Sequence, residues 1–193
     1  MSVKREGGGA SSTTHVVGSE RSETELTEAR EPILPIDELV RCYHRAVYAY
    51  AYRLTGRTQD AEDLAQQTFL VAQQHLVQLR DPDRARGWLL AIARSQYCRL
   101  CRRKRPFLAD DADIELEQLA ADGDDGMRID EEQLQAALNK LTPDYRTVVL
   151  MYYMEHLSYR EIAQELEIPI GTVMSRLARA KAQLRILLGK GSA

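Results

Sequence analysis

LSYREIAQELEIPIGTVMSRLARAKAQLRILL, Leu157 to Leu188, predicts two short helices joined by a tight turn, and its reading decides the fold. Ser158 and Glu161 have the spacing of a capping box, in which the hydroxyl accepts from a free backbone N–H and the carboxylate reaches back to the cap N–H. Ile162, Ala163 and Leu166 form the inner stripe of the first helix. Glu167, Ile168 and Pro169 are expected to end it, because proline disfavours a helical residue before it and has no N–H with which to continue. A second helix is expected from near Gly171. Val173, Leu177, Ala180, Leu184 and Leu187 recur at helical spacing and mark its buried side, so Thr172, Ser175, Arg176, Arg179 and Gln183 are expected on the outward face. Between Ile168 and Ala193 there is no Asp or Glu, while Arg176, Arg179, Lys181, Arg185 and Lys190 are basic. Such a helix can approach phosphates without repulsion, as the reading helix of a helix-turn-helix does. A helical hairpin with a solvated basic face is the competing reading.

The whole chain of 193 residues, 44% of them apolar, suits one or two small domains with packed cores. No apolar run approaches the roughly eighteen residues of a membrane span, and the N-terminus lacks the apolar segment of a signal peptide. A soluble, cytoplasmic protein with no membrane insertion is expected. Three cysteines argue against a disulfide framework. Cys98 and Cys101 are spaced Cys-x-x-Cys, but a structural zinc needs four ligands and no second pair exists; a site completed by Cys42 and a histidine is the lesser alternative to ordinary helix-packing cysteines, and no metal or cofactor is expected. The net charge of −3 conceals strong segregation: residues 1–34 sum to −2, 35–105 to +6, 106–132 to −10 and 133–193 to +3.

Residues 1–34, with GGG, SSTT and scattered glutamates, bury too little to offset ordering entropy and are expected to be a disordered tail. From Pro35, the residues Ile36, Leu39, Val40, Tyr43, Val47, Tyr50 and Leu54 predict an amphipathic helix stopping at Gly56. A second helix is expected from Asp60 to Leu79, with Leu64, Phe69, Ala72 and Leu76 inward. Asp60, Glu62, Asp63, Gln66 and Gln67 remain as a polar surface, for which a plain solvated face is the simplest reading. A loop, RDPDRARG, leads to a third helix from about Gly87 to Arg105. Eight residues from Arg84 to Arg105 are Arg or Lys and none is acidic, with Trp88 and Tyr97 among them. Charges that follow a backbone and rings that stack on unpaired bases suit single-stranded nucleic acid; a solvated basic face is the alternative.

Residues 106–132 contain eleven acidic residues and one Arg, with two glycines, and read as an acidic flexible linker with a short helix possible at Ile114 to Leu119. Leu134, Leu138 and Leu141 open a second domain over residues 133–190, and Thr142 and Pro143 form a helix start. Val148 to Met154, VVLMYYM, is apolar around nearly two turns, so that helix should be covered on more than one side, by neighbouring helices or by a partner. The fold class expected is all-α: two small helical domains, an N-terminal bundle and a C-terminal helix-turn-helix domain.

Three stretches in this order, DAEDLAQQTF at Asp60 to Phe69, WLLAIARS at Trp88 to Ser95, and LSYREIAQELEIPIGTVMSRLARAKAQL at Leu157 to Leu184, resemble the bacterial extracytoplasmic-function sigma factors. The resemblance runs from Ile36 to Leu188. It implies that residues 35–105 are sigma region 2 and 133–190 sigma region 4. It gives Asp60, Glu62, Asp63, Gln66, Gln67 and Phe69 to the clamp of core RNA polymerase. It gives Arg80, Arg84, Arg86, Trp88, Arg94, Ser95, Arg102 and Arg103 to the unpaired strand of the promoter −10 element. Thr172, Ser175, Arg176, Arg179 and Lys181 would read the −35 duplex, and Val148 to Met154 would lie where the polymerase flap binds. Against the family pattern, Ser95 replaces a usual Asn, Arg99 a common Asp, Gln67 a Glu and Met174 a Lys. The short end after Leu188 leaves no room for a regulatory domain, so the resemblance implies control by an anti-sigma protein.

Two magnitudes bear on this. Promoter elements two helical turns apart are separated by about 70 Å, and the 27 residues of 106–132 extend to about 90 Å. Opening on the order of ten base pairs at about 1.4 kcal/mol per step exceeds 10 kcal/mol, whereas each captured base returns about 1–3 kcal/mol. Polymerase is therefore implied as a partner alongside promoter DNA. The first rival, a free-standing helix-turn-helix regulator binding operator DNA as a dimer, leaves the polar second helix and the basic loop unexplained. An enzyme is a poorer fit: Glu62 and Asp63 point to different helix faces, no histidine pair has ligand spacing, and no phosphate-binding glycine motif is present.

Overall fold

Helical spacing of apolar residues from Ile36 onward produces α1 (Ile36–Thr55), which ends at Gly56 with φ of 73° and the Gly56 N–H bonded to the Tyr52 carbonyl. In the computed structural model, which describes residues 34–104 and 130–189, six more α-helices follow: α2 (Thr58–Gln74), α3 (Ala85–Lys104), α4 (Glu131–Lys140), α5 (Pro143–Tyr153), α6 (Tyr159–Leu166) and α7 (Ile170–Gly189). No strand occurs among the described residues. The fold is all-α, as expected. The 1–33 part of the expected tail, the linker from 106 to 129 and the short helix at Ile114 to Leu119 lie outside the described residues.

Several boundaries differ from the sequence reading. The second helix starts two residues early and stops at Gln74, with Leu76–Gln78 continuing as a separate 3-10 turn; nothing in the sequence marks that stop. Glu131 and Glu132, counted with the linker, form the first turn of α4, where carboxylates face the positive end of the dipole. Thr142 caps α5 by accepting from the Tyr145 N–H, with Pro143 at the first helical position.

α1, α2 and α3 pack as a bundle around Leu39, Val47, Ala65, Phe69, Ala72 and Leu89. A second core joins the two halves of the chain: Tyr50, Ala51, Leu54, Leu90, Ala93 and Tyr97 from α1 and α3 meet Leu138, Leu141 and Val148 to Met151. This answers why α5 is apolar all round. One side faces α6 and α7, and the other is covered by α1 and α3 of the N-terminal half. In this structure the side of α5 that could have met a partner is filled from within the chain. Polar clasps line the same seam. Arg53 donates to the Gln135 side chain and the Glu131 carbonyl, both at 3.2 Å, and Gln135 donates to the Tyr52 carbonyl at 3.1 Å.

Candidate nucleic-acid interface

The helix-turn-helix is built as the sequence predicts at its start and differently at its middle. Ser158 accepts from the Glu161 N–H and Glu161 accepts from the Ser158 N–H at 2.7 Å, the full capping box. The end of α6 is set by Glu167 rather than by proline. Glu167 takes the left-handed conformation, φ 55°, and its N–H returns to the α6 carbonyls of Ala163 and Gln164. Pro169 instead begins the next helix, its carbonyl accepting from Thr172 and Val173.

Val173, Leu177 and Ala180 of α7 are buried, as the stripe requires. The outward face is not the expected one. At about 100° per residue, Thr172, Arg176, Arg179 and Gln183 fall on one flank of the stripe and Ile170, Met174, Lys181 and Arg185 on the other. The first flank is half-buried, with Arg176 paired to Asp144 of α5 at 3.4 Å. The second flank is exposed, Met174 to 52% and Ile170 to 47%, together with Gly171 and Ala178. Period alone could not separate the two flanks, because the side on which α5 lies is a tertiary fact. Lys181 projects over the rings of Tyr152 and Tyr153 at 5.6 and 5.7 Å, a cation–π arrangement that holds its charge at the edge of this face.

In the loop and α3, Arg80, Arg84, Arg86, Ser95, Arg102 and Arg103 are exposed and Trp88 is half-buried against the bundle core. Asp81 caps the turn before α3 by accepting from the Asp83 N–H and pairs with Arg84 at 3.4 Å. Two expected members stand elsewhere. Tyr97, read as a stacking ring, is a core residue, 7% exposed. Arg94 is 4% exposed and paired with Glu155 and Glu165 of the C-terminal half.

On α2, Glu62, Asp63, Gln66 and Gln67 are exposed and Asp60 is half-buried beside Arg57. Phe69, grouped with them, is 8% exposed and packs in the bundle core; the exposed apolar neighbour is Leu70, at 48%. Between α1 and α2 lies a groove of about 680 Å³ walled by Ile36, Val40, His44, Tyr48, Phe69 and Leu70, with Glu62, Gln66 and Gln73 on its rim. Sequence reading missed this groove, since its α1 wall shares helical period with the core stripe.

Cys98 and Cys101 are half-buried and Cys42 is exposed, all as free thiols, and burial pushes the Cys98 thiol up. Among the described residues no cluster of three His, Cys, Asp or Glu side chains has the arrangement of a metal site. No helix among them is long and apolar enough to cross a membrane.

Comparison with known proteins agrees with this geometry. The family model described as Sigma-70 region 2 matches residues 39–107, and that described as Sigma-70, region 4 matches residues 131–184. The chain is 37% identical over 161 residues to the ECF RNA polymerase sigma factor SigE of Mycolicibacterium smegmatis, covering 81% of this chain and 62% of that protein. It is 31% identical to SigW of Bacillus subtilis, covering 77% of this chain and 86% of the relative. Among solved structures it is similar to the sigma factor RpoE of Bartonella quintana in complex with the anti-sigma factor NepR, with a TM-score of 0.58 and 25% identity over 79% of this chain and 96% of that one. It is also similar to CnrH in complex with the cytosolic domain of CnrY, with a TM-score of 0.53 and 26% identity over 81% and 89% of the two chains. With a capped helix-turn-helix, a basic α3 and matches to both regions in one chain, this protein belongs to the extracytoplasmic-function sigma factors of RNA polymerase.

Proposed function

We propose that the chain binds core RNA polymerase and directs promoter recognition, promoter opening and transcription initiation, acting in the cytoplasm by recognition and with no catalysis of its own. The observation that carries this reading is the presence, in one chain, of the capped helix-turn-helix α6–α7 and the basic loop and helix from Arg80 to Arg103, each within a matched sigma region. In this reading the exposed Glu62, Asp63, Gln66 and Gln67 of α2 meet polymerase. Arg80, Arg84, Arg86, Trp88, Arg94, Ser95, Arg102 and Arg103 take the −10 strand. Thr172, Ser175, Arg176, Arg179 and Lys181 take the −35 duplex, joined by Met174 on the exposed flank of α7. An anti-sigma protein is a further partner, as NepR is for the similar RpoE. The residue ranges 35–105 and 133–190 serve as the two promoter-contacting modules.

Purified chain mixed with core polymerase and promoter fragments should start transcripts at a defined position. Sequence-specific duplex binding by the chain alone, with no stimulation of initiation, would instead establish a free-standing regulator.

A further inference from the structure

The chain leaves α5 through Met154, Glu155 and His156, where His156 takes a left-handed φ of 57°. The last carbonyls of a helix carry the negative end of its dipole, so Glu155 adds charge where charge of that sign is least welcome. Two arginines of the N-terminal half meet this turn. Arg86 donates to the Met154 carbonyl at 3.4 Å. Arg94 pairs with Glu155 through one nitrogen and with Glu165 of α6 through the other, the latter at 2.5 Å. Tyr50 of α1 donates to the remaining Glu155 oxygen at 2.5 Å. Burial works most strongly against the Arg94 charge, but Glu155, Tyr50 and Glu165 together outweigh it and the guanidinium stays protonated.

Arg86 and Arg94 are both among the residues given to the −10 strand under the proposed function, on which this inference rests. A guanidinium engages carboxylate and phosphate through the same planar fork of donors. We propose that the turn after α5, comprising the Met154 carbonyl, Glu155 and Glu165, is an intramolecular stand-in for the phosphates of the single strand. In the closed chain it occupies Arg86 and Arg94 and withholds them from the strand. When the halves part, phosphates replace the carboxylates.

Parting is required on size alone. About 130 described residues in one compact body give a radius of gyration near 14 Å, far too small to touch two promoter elements about 70 Å apart. The stand-in therefore links two events, release of Arg86 and Arg94 to the strand and separation of the two promoter readers. Removing Glu155 leaves a guanidinium buried with part of its charge uncompensated, which disfavours the closed form far more than the open one.

The test uses the full chain and three readouts: radius of gyration by X-ray scattering, binding of a fluorescein-labelled single-stranded oligonucleotide, and initiation with core polymerase. Glu155→Gln combined with Glu165→Gln should enlarge the radius and tighten oligonucleotide binding by about tenfold, the factor for an open state populated about one part in ten. Asp37→Asn combined with Glu132→Gln makes the same change in net charge at exposed positions and should leave the radius unchanged with less than about twofold effect on binding. Tyr50→Phe removes one hydrogen bond and keeps the ring packing, so it should move radius and affinity in the same direction by a smaller factor, and it decides the matter if the double variant does not fold. Equal gains in both acidic pairs, an enlarged radius without tighter binding, or no response to Tyr50→Phe beside an unfolded double variant would each overturn the stand-in. Failure of the wild-type chain to support initiation would remove the proposed function separately, with the radius and affinity measurements still reporting on the clasp.

Discussion

Arg146 of α5 donates to the carbonyl of Leu54, 92 residues away in the last turn of α1, at 2.5 Å. Its other terminal nitrogen donates to the carbonyls of Asn139 and Leu141 at 3.0 and 3.2 Å. One buried guanidinium thus satisfies an orphan carbonyl at the end of α1 and two in the α4–α5 turn, with its positive charge at the negative end of the α1 dipole. Arg146→Met should cost about 2–4 kcal/mol, because buried carbonyls lose a charged donor, and lower the melting temperature by on the order of 10 °C. Arg146→Lys keeps the charge but not the fork and should fall between. Calorimetry on the three proteins checks the order.

Gly56 ends α1 in the left-handed region, φ 73°, and a Cβ there would lie 2.0 Å from the Asn139 side-chain oxygen. Both facts act against Gly56→Ala: the backbone conformation costs about 1–2 kcal/mol for an L-residue, and Asn139, which accepts from Gln135 at 3.0 Å, must move away. Asn139→Ala in the same chain should recover the steric part and not the conformational part. A double-mutant cycle by urea unfolding separates them.

The Ser158 hydroxyl, followed by its backbone N–H, holds the Glu161 carboxylate below its ordinary range. A depressed value in the folded state means that the carboxylate adds stability above the unfolded value of about 4.5, and that this is lost as pH falls through the folded value. Amide exchange in α6 should therefore be slower in wild type than in Glu161→Gln at neutral pH, and the difference should close at acid pH. Ser158→Ala should cost about 1 kcal/mol at neutral pH.

Met174 stands exposed on the free flank of α7 with no acidic residue on that helix. Met174→Lys should add one phosphate contact and steepen the dependence of log affinity on log salt by about 0.9. Arg179→Ala should cost about 1–3 kcal/mol with loss of base preference if it reads bases, or flatten that slope by about 1 if it holds phosphate. Promoter binding by the polymerase complex across a salt series reports both. No change in either quantity would move the reading face elsewhere.

Local rules carried far into this fold. The Ser158–Glu161 spacing, Gly56 after an apolar period, and Thr142 followed by Pro143 each specify a helix end through bonds within a few residues, and each end lies where they put it. The helical stripes and the all-α class follow from period for the same reason, and three motifs in order were enough to identify the family. The side-chain environments of Arg94, Tyr97, Phe69 and α7 were not legible. Arg94 looks like any cation of a basic run until Glu155 and Glu165, more than 60 residues away, are brought against it. Tyr97 and Phe69 carry rings that serve equally on a surface or in a core. The half-buried flank of α7 is decided by where α5 lies. The sequence by itself determined the helical stripes and the helix ends at Gly56, Thr142 and Ser158, because those depend on neighbours along the chain. Only the tertiary structure decided which charges are sequestered and which face of α7 is free, because burial and ion pairing depend on packing between elements that the period of neither one encodes.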